Sequence, residues 1–198
     1  MPSVTDLKLH TLILSVLVAV TASPSPGTEA ARTLAQNAEQ KFRYLHANGQ
    51  REHPDPRPTQ FSEREVNAYL ASGMVRLPAG VQSVRLVGTP GVIRAHCHID
   101  FDAVRASRNN SNPLLRLFSG IHDVFVEAQA SGSNYRGRVH VNSVSIDDVE
   151  VPRFVLEMFV EKYVTPRYPG VGLDSTFALP DRIAVAKVFT HTLVVAQR

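Results

Sequence analysis

In the stretch at residues 92–104, VIRAHCHIDFDAV, apolar and polar side chains alternate without interruption from Ile93 to Ala103. The odd positions carry the apolar or small residues Ile93, Ala95, Cys97, Ile99, Phe101 and Ala103. The even positions carry Arg94, His96, His98, Asp100 and Asp102. A period of two residues predicts a β-strand with one buried face and one face in water. Because the strand exceeds the usual length of about five or six residues, we expect a curved or wide sheet whose apolar face is covered by another part of the chain.

The first 22 residues predict a secretory signal peptide. Lys8 and His10 precede an apolar run at residues 12–20, and the small residues VTA at 20–22 form a candidate cleavage site. The run is shorter than the roughly 20 apolar residues that a membrane-spanning helix needs. The alternative is an uncleaved membrane anchor. A lipoprotein anchor is not expected, because the residue directly after the cleavage site, Ser23, is not a cysteine. We therefore expect an exported protein, periplasmic or secreted.

Composition narrows the classes of function. The formal net charge is +3, and Cys97 is the only cysteine, which rules out an internal disulfide bond. Cys97 lies on the apolar side of the alternating stretch, where a cysteine behaves as a small hydrophobic residue. The mild positive charge suits transient contact with an anionic lipid surface better than it suits nucleic acid, which is not expected as a partner.

Two helices are predicted before the first long strand. Residues 29–47 place apolar side chains at helical spacing, and a connector with three prolines follows at residues 50–59. In the next segment, FSEREVNAYLASG, Ser62 and Glu65 are spaced as a capping box at the start of a second helix. The chain is thus divided into a signal peptide at 1–22, an N-terminal helix and connector at 23–58, and an α+β domain at 59–198.

The other strands are predicted from the same two-residue alternation. They lie at residues 81–87, 121–130, 135–146, 183–189 and 193–196. Short turns join them into three hairpins, one of which includes the stretch at 92–104. The apolar phase changes from odd to even within residues 135–146, which predicts a β-bulge near Asn142 and Ser143. The Pro- and Gly-rich residues 165–182 are predicted to form a loop.

A helix at residues 152–164 is apolar over most of its circumference. Its charged residues fall in one narrow wedge, and Phe154, Met158 and Phe159 lie outside that wedge. A helix that is apolar over so wide an arc is expected to be buried on more than one side. We therefore predict that the long curved sheet wraps around it.

The apolar tract at residues 114–118 has two interpretations. As structure, it is a short helix that closes the end of the core. As function, Leu117 and Phe118 form an exposed tip that inserts into lipid or gates a cavity. The sequence does not decide between them.

Several kinds of catalytic site are not supported. His96 and His98 share one face of the predicted strand with Asp100 and Asp102, and zinc accepts such ligands. No further ligand has a recognisable spacing, so a solvated sheet face is favoured and no metal site is expected. No serine lies in a G-x-S-x-G motif, and no glycine-rich phosphate-binding motif is present.

The runs GRVHVNSVSIDDVEVPRFVLEMFVEKYV and ALPDRIAVAKVFTHTLVV resemble segments of small bacterial envelope proteins related to tubular lipid-binding (TULIP-like) domains. In those proteins a strand leads through a tight turn and a proline into an apolar helix, and a closing hairpin follows. The chain departs from that pattern at Asp147 and Asp148, which replace a glycine turn, and in a final hairpin without its usual glycine. The resemblance implies a long antiparallel sheet wrapped on a helix, a hydrophobic cavity for acyl chains, and no catalytic residues.

The sequence therefore predicts an α+β fold. A long, curved antiparallel β-sheet of about six strands wraps around the apolar helix in the C-terminal half, with two N-terminal helices alongside. The predicted function is non-enzymatic binding of a lipid or other hydrophobic ligand. The biological role expected for such binding is lipid transport in the cell envelope. The expected ligand contacts are Ile99, Phe101, Leu117, Phe118, Phe154, Met158 and Phe159.

Two other functions stay open, and no cofactor is expected. The first is a non-catalytic structural or adaptor protein of the envelope whose core is filled by its own side chains. The second, less favoured, is a metal-dependent hydrolase that uses His96 and His98. The sequence leaves the oligomeric state open.

Overall fold

The computed structural model describes residues 26–106, 119–165, 170 and 172–198. In these ranges the fold is α+β, with four α-helices, one π-helical segment and nine strands in a single open antiparallel sheet. The α+β class and the large antiparallel sheet were predicted, but the sheet has nine strands rather than about six. The chain from Ala31 to Arg198 forms one compact unit.

The helices and strands have the following bounds. The helices are α1 (Pro26–Gly49), α2 (Glu63–Ala71), α3 (Phe101–Ala106) and α4 (Arg153–Phe159), and the π-helical segment Val160–Val164 continues α4. The strands are β1 (Thr59–Ser62), β2 (Val81–Thr89), β3 (Val92–Asp100), β4 (Ile121–Ser133), β5 (Arg136–Ile146), β6 (Val149–Glu150), β7 (Asp174–Ala178), β8 (Ile183–Phe189) and β9 (Thr192–Gln197).

Strand β4 lies at the centre of the sheet. One of its edges pairs with β3 along residues 121–129 and then with β8 along residues 131–133. Its other edge pairs with β5, which in turn pairs with the short strands β6 and β7. The β2–β3 hairpin and the β1–β9–β8 group therefore lie on the same side of β4.

The three predicted hairpins are confirmed, and the middle turn lies later than predicted. Strands β2 and β3, β4 and β5, and β8 and β9 pair as antiparallel neighbours. The β4–β5 turn consists of Asn134 (φ 51°) and Tyr135 (φ 62°). Positive φ at both central residues is the geometry of a type I′ turn, which matches the twist of the two strands. Residues 131–133, predicted as part of the turn, instead extend β4.

The predicted bulge in β5 is also confirmed. Glu127 of β4 faces Ser143, and the next residue, Ala128, faces Val141, so Asn142 has no directly opposite residue. The extra residue returns the apolar side chains of β5 to the same face before and after the bulge. One face of the sheet can therefore stay apolar along the whole of β5.

The prediction of an unbroken strand at residues 92–104 is wrong at its C-terminal end. Strand β3 stops at Asp100, whose Oδ1 accepts hydrogen bonds from the backbone N–H groups of Asp102 (2.9 Å) and Ala103 (3.0 Å). A carboxylate that accepts from these backbone N–H groups caps the start of a helix. Helix α3 thus replaces the end of the strand, and Phe101 is buried at its first position.

The predicted wrapping of the sheet around the helix at 152–164 is not confirmed. None of the side chains from Arg153 to Phe159, all of which the structure describes, is buried. The apolar arc of this helix was expected to be covered on several sides. The sequence pattern, however, shows only which side chains of the helix are apolar, not which elements cover them. Coverage depends on neighbouring elements, and the sheet beside this helix is open.

Three strands were not predicted: β1, β7 and β6, a two-residue strand that pairs with the end of β5. Strand β7 falls in the segment predicted as a loop and pairs with residues 136–140 of β5. Strand β1 directly follows the proline-rich connector and pairs with β9 along its whole length. Both are short and lack a clear two-residue alternation, so their pairing depends on the partner strand more than on local sequence.

Helices α1 and α2 pack on the β1–β9–β8 end of the sheet. Leu45, Phe61 and Val195 are buried there, and Val66, Ile183 and Leu193 pack around them. The predicted capping box of α2 is confirmed, because Ser62 and Glu65 exchange hydrogen bonds between side chain and backbone in both directions. This cluster holds the N-terminal helices against the closing hairpin.

A buried polar network ties the end of α1 to β9. Asn48 is 1% exposed and donates to Gln197 Oε1 (2.8 Å) and to the backbone carbonyl of Asp55 (3.0 Å). Gln197, 2% exposed, donates to the backbone carbonyls of Leu45 (2.7 Å) and Asp181 (2.6 Å). Removing one member leaves buried polar atoms without partners, which is more costly than losing an exposed hydrogen bond.

We expect Asn48→Ala to lower the free energy of unfolding by about 1–3 kcal/mol, the usual cost of a buried polar group left unpaired. Urea unfolding followed by circular dichroism measures this change. The control is Asn37→Ala, which removes an exposed amide from the same helix. Equal effects of the two substitutions would show that the buried network does not stabilise this end of the fold.

Candidate functional site

The sheet formed by β2, β3, β4 and β5 has one apolar face. Cross-strand pairing places Cys97 opposite Val84 and Val124, and Val124 opposite Ile146. Residues directly opposite each other in a sheet share a face, so these pairs form one continuous apolar surface. The same pairings place the following further apolar residues on this face: Val81, Leu86, Ile93, Ala95, Ile99, Val126, Ala128, Ala130, Val139, Val141 and Val144.

Three of the predicted ligand contacts meet on this apolar face. Phe101 and Val124 are buried there, and Ile99 and Phe159 pack against them. Phe159 brings the C-terminal end of α4 over the sheet. The other partly buried members of the cluster are Cys97, Val126, Val144 and Ile146.

The remaining predicted contacts are not part of this cluster. Phe154 is 64% exposed and Met158 is 48% exposed, both on α4. Leu117 and Phe118 lie outside the described residues. Helix α4 therefore contributes Phe159 to the cluster and presents two large apolar side chains to solvent.

Cys97 lies among apolar side chains, as its alternation predicted. It is partly exposed and packs against the cluster around Phe101 and Val124. Burial raises the pKa of the Cys97 thiol, which keeps it protonated at neutral pH. A protonated thiol is a poor nucleophile, so this environment does not activate Cys97 for catalysis.

A histidine–carboxylate pair lies at the edge of the apolar face. His122 is opposite Ile99 and contacts the Phe101 ring edge-on. Its Nδ1 lies 2.5 Å from Asp147 Oδ2, and its Nε2 lies 3.1 Å from the backbone carbonyl of Ser119. Both ring nitrogens face acceptors, and only the protonated imidazole can donate from both. The hydrogen bond to Asp147 accordingly raises the pKa of His122, and the same bond lowers the pKa of Asp147.

The hollows of the described surface differ in size and character. An apolar hollow of about 80 Å³ lies between α2 and the β2–β3 hairpin, with Val66, Leu86 and Ile93 in its wall. Two larger hollows, of about 480 and about 500 Å³, lie on the opposite, polar face of the sheet. Small-molecule sites usually enclose roughly 300–1,000 Å³. The apolar hollow is therefore too small to enclose a lipid, and a ligand of the apolar face would have to lie in an open groove.

The polar face carries a cluster formed by His96, His98 and Asp123. His98 lies directly opposite Asp123 across the β3–β4 pair. Asp123 Oδ1 lies 2.9 Å from His96 Nε2 and 2.7 Å from His98 Nδ1. One candidate ligand atom from each residue lies within 4.8 Å of those of the other two. All three side chains are partly exposed to solvent.

The orientation of His96 is fixed by an aromatic neighbour. Its ring stacks on Phe125, with centroids 4.2 Å apart and planes inclined by 7°. Phe125 lies directly opposite His96 on β4, so strand pairing brings the two rings together. The stacking restrains His96 while its Nε2 faces Asp123.

The sequence identified both histidines but placed them with the wrong carboxylates. Asp100 caps α3, and Asp102 lies within α3, where it accepts from the backbone N–H of Gly120. Asp123 was missed because it comes from the next strand. Aligning the alternating stretches at 92–104 and 121–130 as antiparallel neighbours would have been the signal for it.

We expect Asp147→Asn to lower the pKa of His122, because the substitution removes the charge that holds the imidazole protonated. The titration of the His122 ring protons by NMR measures it. Asn tolerates the positive φ of position 147 (49°). Asp148→Asn, which removes one charge from the same turn, is the control and should leave the titration of His122 nearly unchanged.

The same pair predicts how stability depends on pH. The raised pKa of His122 stabilises the fold below the ordinary value of 6.5, and this contribution is lost as the pH rises through the raised value. The lowered pKa of Asp147 stabilises the fold above the ordinary value of 3.8 and is lost on acidification. The loss of unfolding free energy between about pH 5.5 and about pH 8.5 should therefore be smaller in Asp147→Asn than in the unchanged protein. An identical loss in both would contradict the assignment.

The comparisons with known proteins assign no family. No family model, curated protein or solved structure matches the chain. Among the described helices, none combines the length and the apolar character needed to cross a lipid bilayer. The resemblance to tubular lipid-binding domains stays a prediction, and what the chain does is inferred from the geometry of its own residues.

Proposed function

We propose that this protein binds a hydrophobic ligand, the acyl chain of a lipid, along the apolar face of the β2–β5 sheet. The ligand lies in an open groove beside α4. The protein is exported and works in the cell envelope, as the predicted signal peptide and the resemblance to tubular lipid-binding domains indicate. Its action is binding without chemical change.

The observation that carries this proposal is the incomplete cover of the apolar face. In the cluster under α4, only Phe101 and Val124 are buried among the described residues, and the surrounding aliphatic side chains keep part of their surface in water. On helix α4, Phe154 and Met158 are further large apolar side chains that are exposed to solvent. Contiguous apolar surface that a domain leaves exposed is typical of binding sites for ligands, lipids or partners.

Burial of an acyl chain supplies the binding free energy. Each methylene group transferred from water contributes about 0.8 kcal/mol. The arginines of the neighbouring helices are already engaged, since Arg105 pairs with Asp102 and Arg153 pairs with Glu157 and Asp174. Apolar contact, more than charge on the head group, is thus expected to determine affinity.

A structural or adaptor role is the second candidate. The observation that favours it is the small size of the apolar hollow, about 80 Å³. In that case the exposed apolar side chains of α4 contact a partner protein instead of a lipid. The two functions differ in whether lipid accompanies the purified protein.

Native mass spectrometry of the full chain purified from membranes tests the proposal, together with organic extraction of the same sample. We expect co-purified lipid, and we expect Phe154→Asp and Met158→Asp to reduce it. Both side chains are largely exposed, so neither change removes a buried core residue. With a fluorescent fatty acid, each substitution should raise the Kd roughly tenfold, the equivalent of about 1.4 kcal/mol.

The matched control is Phe189→Asp, which places the same charge at a similarly exposed phenylalanine on β8. It should leave lipid binding unchanged. A protein that carries no lipid and does not bind the fatty acid would overturn the proposal and favour the adaptor role. Equal losses in all three variants would mean that α4 does not line the site.

A further inference from the structure

We propose that His96, His98 and Asp123 form a binding site for a divalent transition-metal ion, with Zn²⁺ as the probe. The ligand atoms are His96 Nε2, His98 Nδ1 and a carboxylate oxygen of Asp123. The site lies on the polar face of the sheet, opposite the face proposed to bind lipid, and does not depend on that proposal.

The ligand set suits such an ion. Two imidazoles and one carboxylate are ligands that zinc accepts, and imidazole also suits copper, iron and nickel. Zn–N and Zn–O bonds of about 2.0–2.2 Å place tetrahedral ligand atoms roughly 3.4 Å apart. The observed spacings of 2.9 and 2.7 Å to Asp123 Oδ1 are shorter, so a rotation of one exposed carboxylate makes room for the ion.

The convergence of two imidazoles on one oxygen distinguishes this cluster from other histidine–carboxylate pairs of the described chain. Those pairs each join a single imidazole to a carboxylate. They are His46 with Asp181, His122 with Asp147, His140 with Asp174, and His191 with Glu63. A single imidazole is satisfied by one hydrogen bond to its carboxylate, whereas two imidazoles directed at one point provide the start of a coordination shell.

The backbone already positions the three ligands. His96 and His98 are two residues apart on β3 and share a face, and Asp123 lies opposite His98 on β4. Stacking on Phe125 restrains the His96 ring. Ligands held on neighbouring strands lose little conformational freedom when an ion binds, which favours affinity.

Three protein ligands leave at least one position on the ion open. Zinc sites with three protein ligands keep a water molecule at the fourth position. The cluster is partly exposed, and His96 also lines the hollow of about 500 Å³ on the polar face, so water can reach this position. The structure therefore assigns an accessible site that binds the ion and water together.

Equilibrium dialysis of untagged, chelator-treated protein against ZnCl₂, with the metal content measured by mass spectrometry, tests the proposal. We expect one Zn²⁺ per chain with a micromolar or tighter Kd. Loss of a residue that only hydrogen-bonds to a metal ligand weakens metal binding roughly 10- to 100-fold. His98→Ala removes a ligand itself and should raise the Kd by more than that. Asp123→Asn should also weaken Zn²⁺ binding. The asparagine side chain has nearly the same shape as aspartate, so this variant tests the carboxylate charge with little change in packing.

His140→Ala is the matched control, because His140 is an exposed histidine on the same face that pairs with Asp174. It should bind one Zn²⁺ with unchanged affinity. Zn²⁺ should raise the melting temperature of the unchanged protein and of this control but not of His98→Ala. A cooperative melting transition without Zn²⁺ shows that each variant folds. Absence of Zn²⁺ binding, or binding that survives the double change His96→Ala and His98→Ala, would overturn the proposal.

Discussion

The register between β3 and β4 is the constraint on which the rest of the structure depends. Cys97 faces Val124 on one side of the sheet, and the adjacent pair, His98 and Asp123, lies on the other side. A shift of one residue would exchange the two faces and bury charged side chains in the apolar cluster. The cost of burying those charges therefore fixes both the core and the polar cluster at once.

Two local features keep this register consistent along the sheet. The bulge at Asn142 corrects the phase of β5, so that Val141 and Val144 lie on the same face as Val126. At the end of β3, the carboxylate of Asp100 starts α3 and turns Phe101 into the cluster. Without the bulge, strict alternation would place the apolar residues on one side of Asn142 on the polar face. Without the cap at Asp100, Phe101 would continue the strand instead of turning into the cluster.

The difference between local and non-local information explains what the sequence could predict. The capping box at Ser62, the three hairpins and the bulge at Asn142 were predicted because the residues that determine them are close together in the chain. The exposure of Phe154 and the approach of Asp123 to His98 were not predicted, because each depends on an element distant in sequence. Strand β7 belongs to the same class, since its pairing with β5 defines it.

The two proposed sites share a backbone but use different physical chemistry. They use alternate side chains of β3: Cys97 and Ile99 pack in the apolar cluster around Phe101 and Val124, and His96 and His98 lie in the polar cluster with Asp123. Lipid binding would draw on the removal of apolar surface from water, and metal binding on lone pairs held at fixed spacing. A substitution on one face can therefore change one function and leave the other intact, provided that it preserves the register of β3 with β4.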